Sequence, residues 1–292
     1  MKGNPFAISA TVACVLGTVG SAQAADPYLS APSYAKPIAP KTTVRPIVTV
    51  GQQFGLSGDS NQTFRFVGIP DGLGIYKTNP ESATDNHYTL LANHEFNQPA
   101  GGAAGPLPSG ARITALDVTL DPRGGARREA RRVVSGQYAI ERVWAGEPPV
   151  QVDPVTRGFA RFCSAFLADD AVGFDREIYL NGEETAGPAT FDPAGGSAWA
   201  TFYGDSYQLP RIGRSAWENV VVARGTGDKT VIFALEDGPS SGDGANSQLY
   251  MYVGQKQPGA GDALSINGLN NGLLYVFCGN DAAQNSEVTF TS

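Results

Sequence analysis

The sequence predicts an all-β protein arranged as a β-propeller, complete or partial. Three observations carry this. Short apolar runs of strand length are cut by Gly, Pro, Asn and Asp throughout the chain. Gly and Pro, 36 and 20 of the 292 residues, make up about a fifth of it, well above ordinary usage. Acidic strand ends also recur, and two of them, at Glu183 and Glu236, lie 53 residues apart, close to the period of a four-stranded propeller blade. A β-sandwich is the alternative architecture, because any β protein yields some regular spacing.

The elements follow in order. Residues 1–24 read as a secretion signal: Lys2, then no charge from Phe6 to Val19, then the small-x-small triplet Ala22-Gln23-Ala24. The apolar run of about 14 residues is too short to span a bilayer comfortably. Cleavage is expected before Ala25, giving a periplasmic or secreted protein with no membrane span. Residues 25–46, rich in Pro, Ala, Ser and Thr, read as an extended linker or outer strand. The β domain is expected over 47–292. Its strands are expected at 63–67, 87–91, 113–120, 177–180, 219–223, 230–235, 248–253 and 273–277, each β-branched or aromatic and bounded by turn residues. One short helix is expected at 158–169, because Phe159, Phe162 and Phe166 fall at i, i+3 and i+7.

Charge and rare residues bound the chemistry. The formal net charge is −7, and −8 without Lys2, which excludes the basic face that nucleic acid requires. His87 and His94 are the two histidines, so a three-histidine zinc site is excluded. After the signal two cysteines remain, Cys163 and Cys278, which an exporting compartment would allow to pair. Gly238-Pro-Ser240-Ser-Gly242 matches the nucleophile-elbow string, but a turn-rich loop and another strand follow it where a helix is required. Metal chemistry would therefore rest on carboxylates and favour hard cations.

Three strands end in the same way: Asn93-His94-Glu95, Gly182-Glu183-Glu184 and Leu235-Glu236-Asp237. In a propeller such ends converge at one mouth of the channel. Glu95, Glu183, Glu184, Glu236 and Asp237, with Glu218 from a strand start, would then crowd together and repel unless cations neutralise them. Calcium, which takes six to eight oxygens, fits that demand. Acids on separate exposed turns are the alternative. The loop from Asp237 to Asn246 adds oxygen donors around glycines but lacks EF-hand spacing.

The order Asn93-His94-Glu95, Arg161-Phe-Cys163-Ser164, Gly182-Glu183-Glu184-Thr185, Leu209-Pro-Arg-Ile-Gly213-Arg214-Ser-Ala-Trp-Glu218, Glu236-Asp237 and Gln248-Leu-Tyr250 resembles the PhoX family of secreted, calcium-dependent alkaline phosphatases. No single piece is specific; six in order, over about 85–277, are. The resemblance implies a β-propeller with a central cluster of calcium and iron held mostly by carboxylates, and a cysteine ligand to iron that Cys163 matches.

The expected function is a metal-dependent phosphoester hydrolase acting on small organic phosphates, as a monomer. Glu95, Glu183, Glu184, Glu218, Glu236 and Asp237 are the expected ligands together with Cys163, and Arg214 is the expected phosphate-orienting residue. Cys163 alternatively pairs with Cys278, and Arg214 alternatively pairs with a surface acid. His94, between Asn93 and Glu95, should face away from them, and Trp144, Trp199 and Trp217 should pack between strands. A non-catalytic, calcium-stabilised extracellular binding propeller is the second functional reading, and a lactonase-like hydrolase with one divalent ion a weaker third.

Overall fold

The computed structural model describes residues 33–120 apart from Thr43 and Arg45, 131–237 and 247–276. The signal segment, Cys278 and most of the 237–246 loop lie outside the described residues. Among the described residues there are sixteen strands in three sheets, one α-helical turn, α1 (Ala263–Ile266), and two 3-10 turns, at Asp170–Val172 and Pro210–Ile212, so the protein is all-β.

The first sheet holds β1 (Gln53–Leu56), β2 (Asp59–Arg65), β3 (Pro70–Lys77), β4 (His87–His94), β5 (Arg112–Leu120) and β6 (Arg131–Tyr138), in the order β2-β1-β6-β5-β4-β3. The second holds β7 (Arg142–Ala145), β8 (Val150–Gln151), β9 (Phe162–Ala168), β10 (Ile178–Glu183), β11 (Ala198–Phe202) and β12 (Asp205–Gln208), in the order β8-β7-β12-β11-β10-β9. The third is β13 (Trp217–Val222), β14 (Lys229–Glu236), β15 (Leu249–Gln255) and β16 (Leu273–Val276), in chain order. Each sheet therefore contains four consecutive strands side by side: β3–β6, β9–β12 and β13–β16. That is the blade repeat of a β-propeller. All eight strands expected from the sequence are present, with ends shifted by up to four residues. The last four form a single blade.

The described residues divide into two compact units, one drawn from 33–68, 76–90, 114–120 and 131–137, the other from 69–75, 91–113, 138–237 and 247–276. In the first unit the β1–β2 hairpin packs with β6 by a short parallel pairing, Gly55 opposite Ser135. Gly136 lets Phe64 and Leu116 approach, since a Cβ there would lie 2.6 Å from the Phe64 ring. Here His87 Nδ1 meets the buried Asp117 carboxylate at 2.8 Å.

The second unit carries the larger core. Leu180, Ala198 and Ala200 of one blade pack against Val220, Val222, Ile232, Ala234 and Tyr252 of the next. These side chains alternate along their strands, which is the period of a half-buried strand. Inner strands approach closely where glycine permits it. A Cβ on Gly182 of β10 would lie 2.5 Å from Trp217 Cβ, and one on Gly72 of β3 would lie 2.4 Å from the Ala165 nitrogen. Trp199 and Trp217 are fully buried, and Trp144 stacks on Tyr207 at 5.7 Å, as expected.

The helix expected at 158–169 is instead strand β9. Its partner β10 sets the register, with Ala165 opposite Asn181 and Leu167 opposite Tyr179. Tertiary pairing overrides a short apolar run whose spacing fits both periods. Arg161, at φ 49°, turns the chain just before the strand and ends any helical path.

Candidate metal centre

In each blade the second strand carries one of the recurring acidic ends, and the first, innermost strand carries a second set of donors. Asp71 is the second residue of β3, Cys163 of β9 and Glu218 of β13. Glu95 and Glu184 immediately follow β4 and β10, and Asp237 follows β14. One backbone hydrogen bond repeats among them. The N–H of Glu95 donates to Ile69 O at 2.9 Å, that of Glu184 to Arg161 O at 2.9 Å, and that of Asp237 to Ala216 O at 3.0 Å. In every case the acceptor lies two residues before the inner-strand donor residue. Ile69 and Arg161 also share a positive φ, 51° and 49°, so the same kink introduces both strands.

Bulges aim the inner-strand side chains. Cys163 and Ser164 together oppose Gly182, because Phe162 pairs with Glu183 and Ala165 with Asn181. On β13, Trp217 pairs with Glu236 and Asn219 with Leu235, which leaves Glu218 as the extra residue. A bulge re-aims the residue that it inserts.

Two groups of donor atoms result, each with every pair within 4.8 Å: Asp71, Glu95 and Cys163, and Cys163, Glu184 and Glu218. Cys163 is common to both. Its Sγ lies 3.5 Å from Asp71 Oδ2 and 3.5 Å from Glu218 Oε1. It forms no disulfide among the described residues. Burial, then the Glu184 and Glu218 carboxylates, push its thiol well above the ordinary range. A thiol so placed stays protonated unless a cation offsets the surrounding negative charge.

Glu184 is buried, and its Oε2 accepts no hydrogen bond among the described residues. Burial, then contact with the Asp237 carboxyl, raises its own carboxyl to about 7. Its other oxygen, Oε1, accepts from Arg161 Nη2 at 2.8 Å, and Arg161 Nε donates to Glu95 Oε1 at 2.9 Å. Arg161 thus ties two strand-end acids together. An open cleft of about 370 Å³ runs beside them, lined by Asn97, Arg161, Glu184, Thr185, Ala186, Ala216 and Asp237. Below the acids lies an amide belt. Asn181 Nδ2 donates to Asn93 Oδ1 at 3.2 Å, and Asn93 Nδ2 donates to the Cys163 carbonyl at 2.8 Å.

Three residues expected here lie elsewhere. Glu183 points into an aromatic pocket of Phe159, Phe191 and Trp199. There Oε1 accepts from the Ala160 and Phe191 amides, and Oε2 from the Ser197 amide and Trp199 Nε1. Burial raises its carboxyl to about 7 against the pull of those four donors. Glu236 is buried beside Tyr250 and belongs to neither donor group. Arg214 is half-exposed, and its guanidinium donates to Asp192 Oδ2, with Nε at 2.9 Å. This is the surface pairing set out above as the alternative, and the arginine in the cleft is Arg161. His94 is buried and stacks on Phe96 at 6.4 Å.

The sequence reading assigned no role to Asp71 or Arg161. Ile69-Pro70-Asp71-Gly72 reads as turn chemistry, yet an acid at the start of a strand is the feature that singled out Glu218.

No protein-family model matches the sequence, and no curated protein matches it. Among solved structures the chain is similar to Pseudomonas fluorescens PhoX in complex with vanadate, a transition state analogue. The TM-score is 0.47 at 13% identity, over 71% of this chain and 45% of that one. The chain spans less than half the length of that structure. No helix among the described residues is long and apolar enough to cross a membrane.

Proposed function

We propose that the chain is an exported, metal-dependent phosphoester hydrolase acting on small organic phosphates. One observation carries the metal reading: Glu184 Oε2 is buried without a donor, against the Asp237 carboxyl and within a group of acids and one thiol. A buried carboxylate oxygen without a donor costs the fold several kcal/mol at the extreme, and a cation is the partner this donor set fits. Glu184, Glu218, Asp237, Asp71 and Glu95 offer the hard oxygens that suit calcium, and Cys163 offers the soft sulfur that suits iron. The sharing of Cys163 between both groups favours two cation positions with sulfur between them.

When bound, such cations supply positive charge for the non-bridging oxygens of a phosphoryl group. The chain's own residues do the rest. Arg161, held by Glu95 and Glu184, presents a guanidinium to the cleft, where it orients an oxyanion. Without a cation the Glu184 carboxyl keeps its proton up to about pH 7, and a bound cation would displace that proton. Thr185, Ala186 and Ala216 leave room for a small organic group. The ordered motifs that resemble secreted calcium-dependent phosphatases support phosphate as the substrate group.

The test is hydrolysis of p-nitrophenyl phosphate by the mature chain, with metal analysis of the same sample. Activity lost in chelator and restored by calcium supports the reading; full activity in chelator refutes it. The second reading, a non-catalytic calcium-stabilised binding module, is favoured by the openness of the cleft and by the pairing of Arg214 away from it. It is the outcome if calcium binds, iron is absent and no phosphoester turns over.

A further inference from the structure

One dipeptide holds the kink at Arg161 from both ends. Glu184 takes the far end: its N–H donates to Arg161 O at 2.9 Å, and its Oε1 accepts from the guanidinium at 2.8 Å. Glu183 takes the approach. Its Oε1 accepts at 3.0 Å from the N–H of Ala160, the residue just before the kink. The same oxygen accepts from the Phe191 amide at 2.8 Å, and Oε2 accepts from the Ser197 amide at 3.2 Å. Phe191 and Ser197 belong to the 185–197 loop, whose first residues, Thr185 and Ala186, line the cleft. The Glu183 carboxylate therefore joins the segment that carries Arg161 to a loop that forms another part of the cleft wall.

An arginine at φ 49° stays there only while its surroundings over-determine it. The Arg161 N–H donates to Phe96 O at 2.9 Å, and its carbonyl takes the Glu184 amide, so its own two backbone groups are held by backbone. Glu183 adds the side-chain contact beside them. It is fully buried, so no solvent competes for its hydrogen bonds. The equivalent positions in the other blades, His94 and Glu236, are buried as well. Each blade thus turns inward the residue before its clustered acid.

We propose that Glu183 is a positioning residue for Arg161: it fixes the Ala160–Arg161 backbone so that the guanidinium meets an oxyanion in the cleft. The substrate side of this rests on the phosphoester reading above; the positioning itself rests on the hydrogen bonds of Glu183. Without the Ala160 contact the kink is free to rotate, and the guanidinium leaves the place where Glu95 and Glu184 aim it. A misplacement of about 1 Å in such a group costs up to about a hundredfold in rate. Glu183 itself stays clear of substrate, because its carboxylate is spent on four donors in the aromatic pocket.

The experiment measures p-nitrophenyl phosphate kinetics of the calcium-loaded chain, at a temperature well below every variant's melting point. Glu183→Met fills the aromatic pocket but offers Ala160 no comparable acceptor. It should raise KM about three- to tenfold, bounded by the loss of Arg161 itself, with kcat changed less than about twofold. In an Arg161→Met background the same change should add nothing to KM, because both act through one contact. Leu264→Ala, in the core at α1, should lower the melting point and leave KM unchanged. Should Glu183→Met fail to fold, Glu183→Gln, whose one amide oxygen is a weaker neutral acceptor, makes the same comparison. A folded variant with the parental KM overturns the proposal. So does a KM rise that persists without Arg161, or one that Leu264→Ala reproduces. A parent that turns over no phosphoester refutes the functional reading separately. Inorganic phosphate affinity by calorimetry then replaces KM, and a parent that binds no phosphate overturns the positioning role as well.

Discussion

Glu184→Gln should invert the stability order of parent and variant according to whether calcium is present. The carboxyl sits at about 7, raised by burial and by Asp237. Above pH 7 it is ionised in both the folded and the unfolded chain, so the folded state carries the whole cost; below about pH 4 it is protonated in both and the cost is absent. Against the usual carboxylate range, the cost at pH 8 is roughly 3 kcal/mol at face value. The group opens onto a cleft, and solvent screening brings that to about 1–2 kcal/mol. Glutamine is nearly isosteric, carries no charge and offers its amide N–H to Asp237. In chelator at pH 8 the variant should therefore melt higher, by about 2–8 °C at roughly 2–4 °C per kcal/mol. With calcium at about a hundred times its dissociation constant the parent should gain about 2.7 kcal/mol, and the variant, lacking a charged donor, much less. Thermal melts of both proteins in chelator and in calcium read this directly. Equal calcium shifts in the two would return Glu184 to an ordinary buried acid and remove the observation on which the metal reading stands.

The other substitutions separate roles that the sequence left joined. Cys163→Ser should lower iron content while leaving calcium largely bound, because a serine hydroxyl does not ionise at neutral pH; Cys278→Ser measured beside it should change neither, and equal destabilisation by both with no iron in the parent would identify a disulfide. Arg161→Met should raise KM for p-nitrophenyl phosphate about tenfold or more, worth ~1.4 kcal/mol or above for a lost charge-assisted contact, whereas Arg214→Ala should leave kinetics unchanged and cost at most about 0.5 kcal/mol of stability. Glu183→Gln should destabilise the fold by about 2–4 kcal/mol with calcium content per folded molecule unchanged, because one amide cannot accept from the four N–H donors that its carboxylate satisfies; loss of calcium from the folded variant would place Glu183 back among the ligands.

Much of the fold was legible because strand alternation and turn chemistry agree along most of this chain. Runs such as 230–235 alternate cleanly, with Thr230, Ile232 and Ala234 inward and buried. The failure at 158–169 has a different origin. Three phenylalanines at helical spacing are also compatible with a strand and its approach, and the left-handed turn at Arg161 has no sequence mark, since arginine carries no preference for it. The acidic ends mark the strands whose ends carry the clustered acids, but not which acid of each pair turns toward the cluster. Glu183 and Glu184 are chemically identical, and the choice between them lies in the backbone: the Glu184 amide closes onto Arg161 O while the Glu183 side chain turns into the aromatic pocket. Arg214 stands in a motif, yet its guanidinium pairs with Asp192 and does not line the cleft.

The three blades also show why the centre is irregular in sequence and regular in space. The inner-strand donors Asp71, Cys163 and Glu218 share no residue type and no even spacing. What they share is a backbone device: an amide from the end of the second strand bonded two residues upstream, with bulges shown at Cys163 and Glu218. A backbone device constrains where a side chain points and leaves its chemistry free. One blade therefore presents an exposed aspartate, the next a half-buried thiol and the third a half-buried glutamate at equivalent positions. The thiol belongs to the middle blade, between the other two, and so it is the donor that both groups share. If Cys163 were moved to the β3 position by the double change Asp71→Cys with Cys163→Asp, the soft donor would sit at the edge of one group and reach only that group. The site should then keep its calcium-type donors and lose the second group's access to sulfur, which metal analysis of the double variant against Cys163→Ser alone would show.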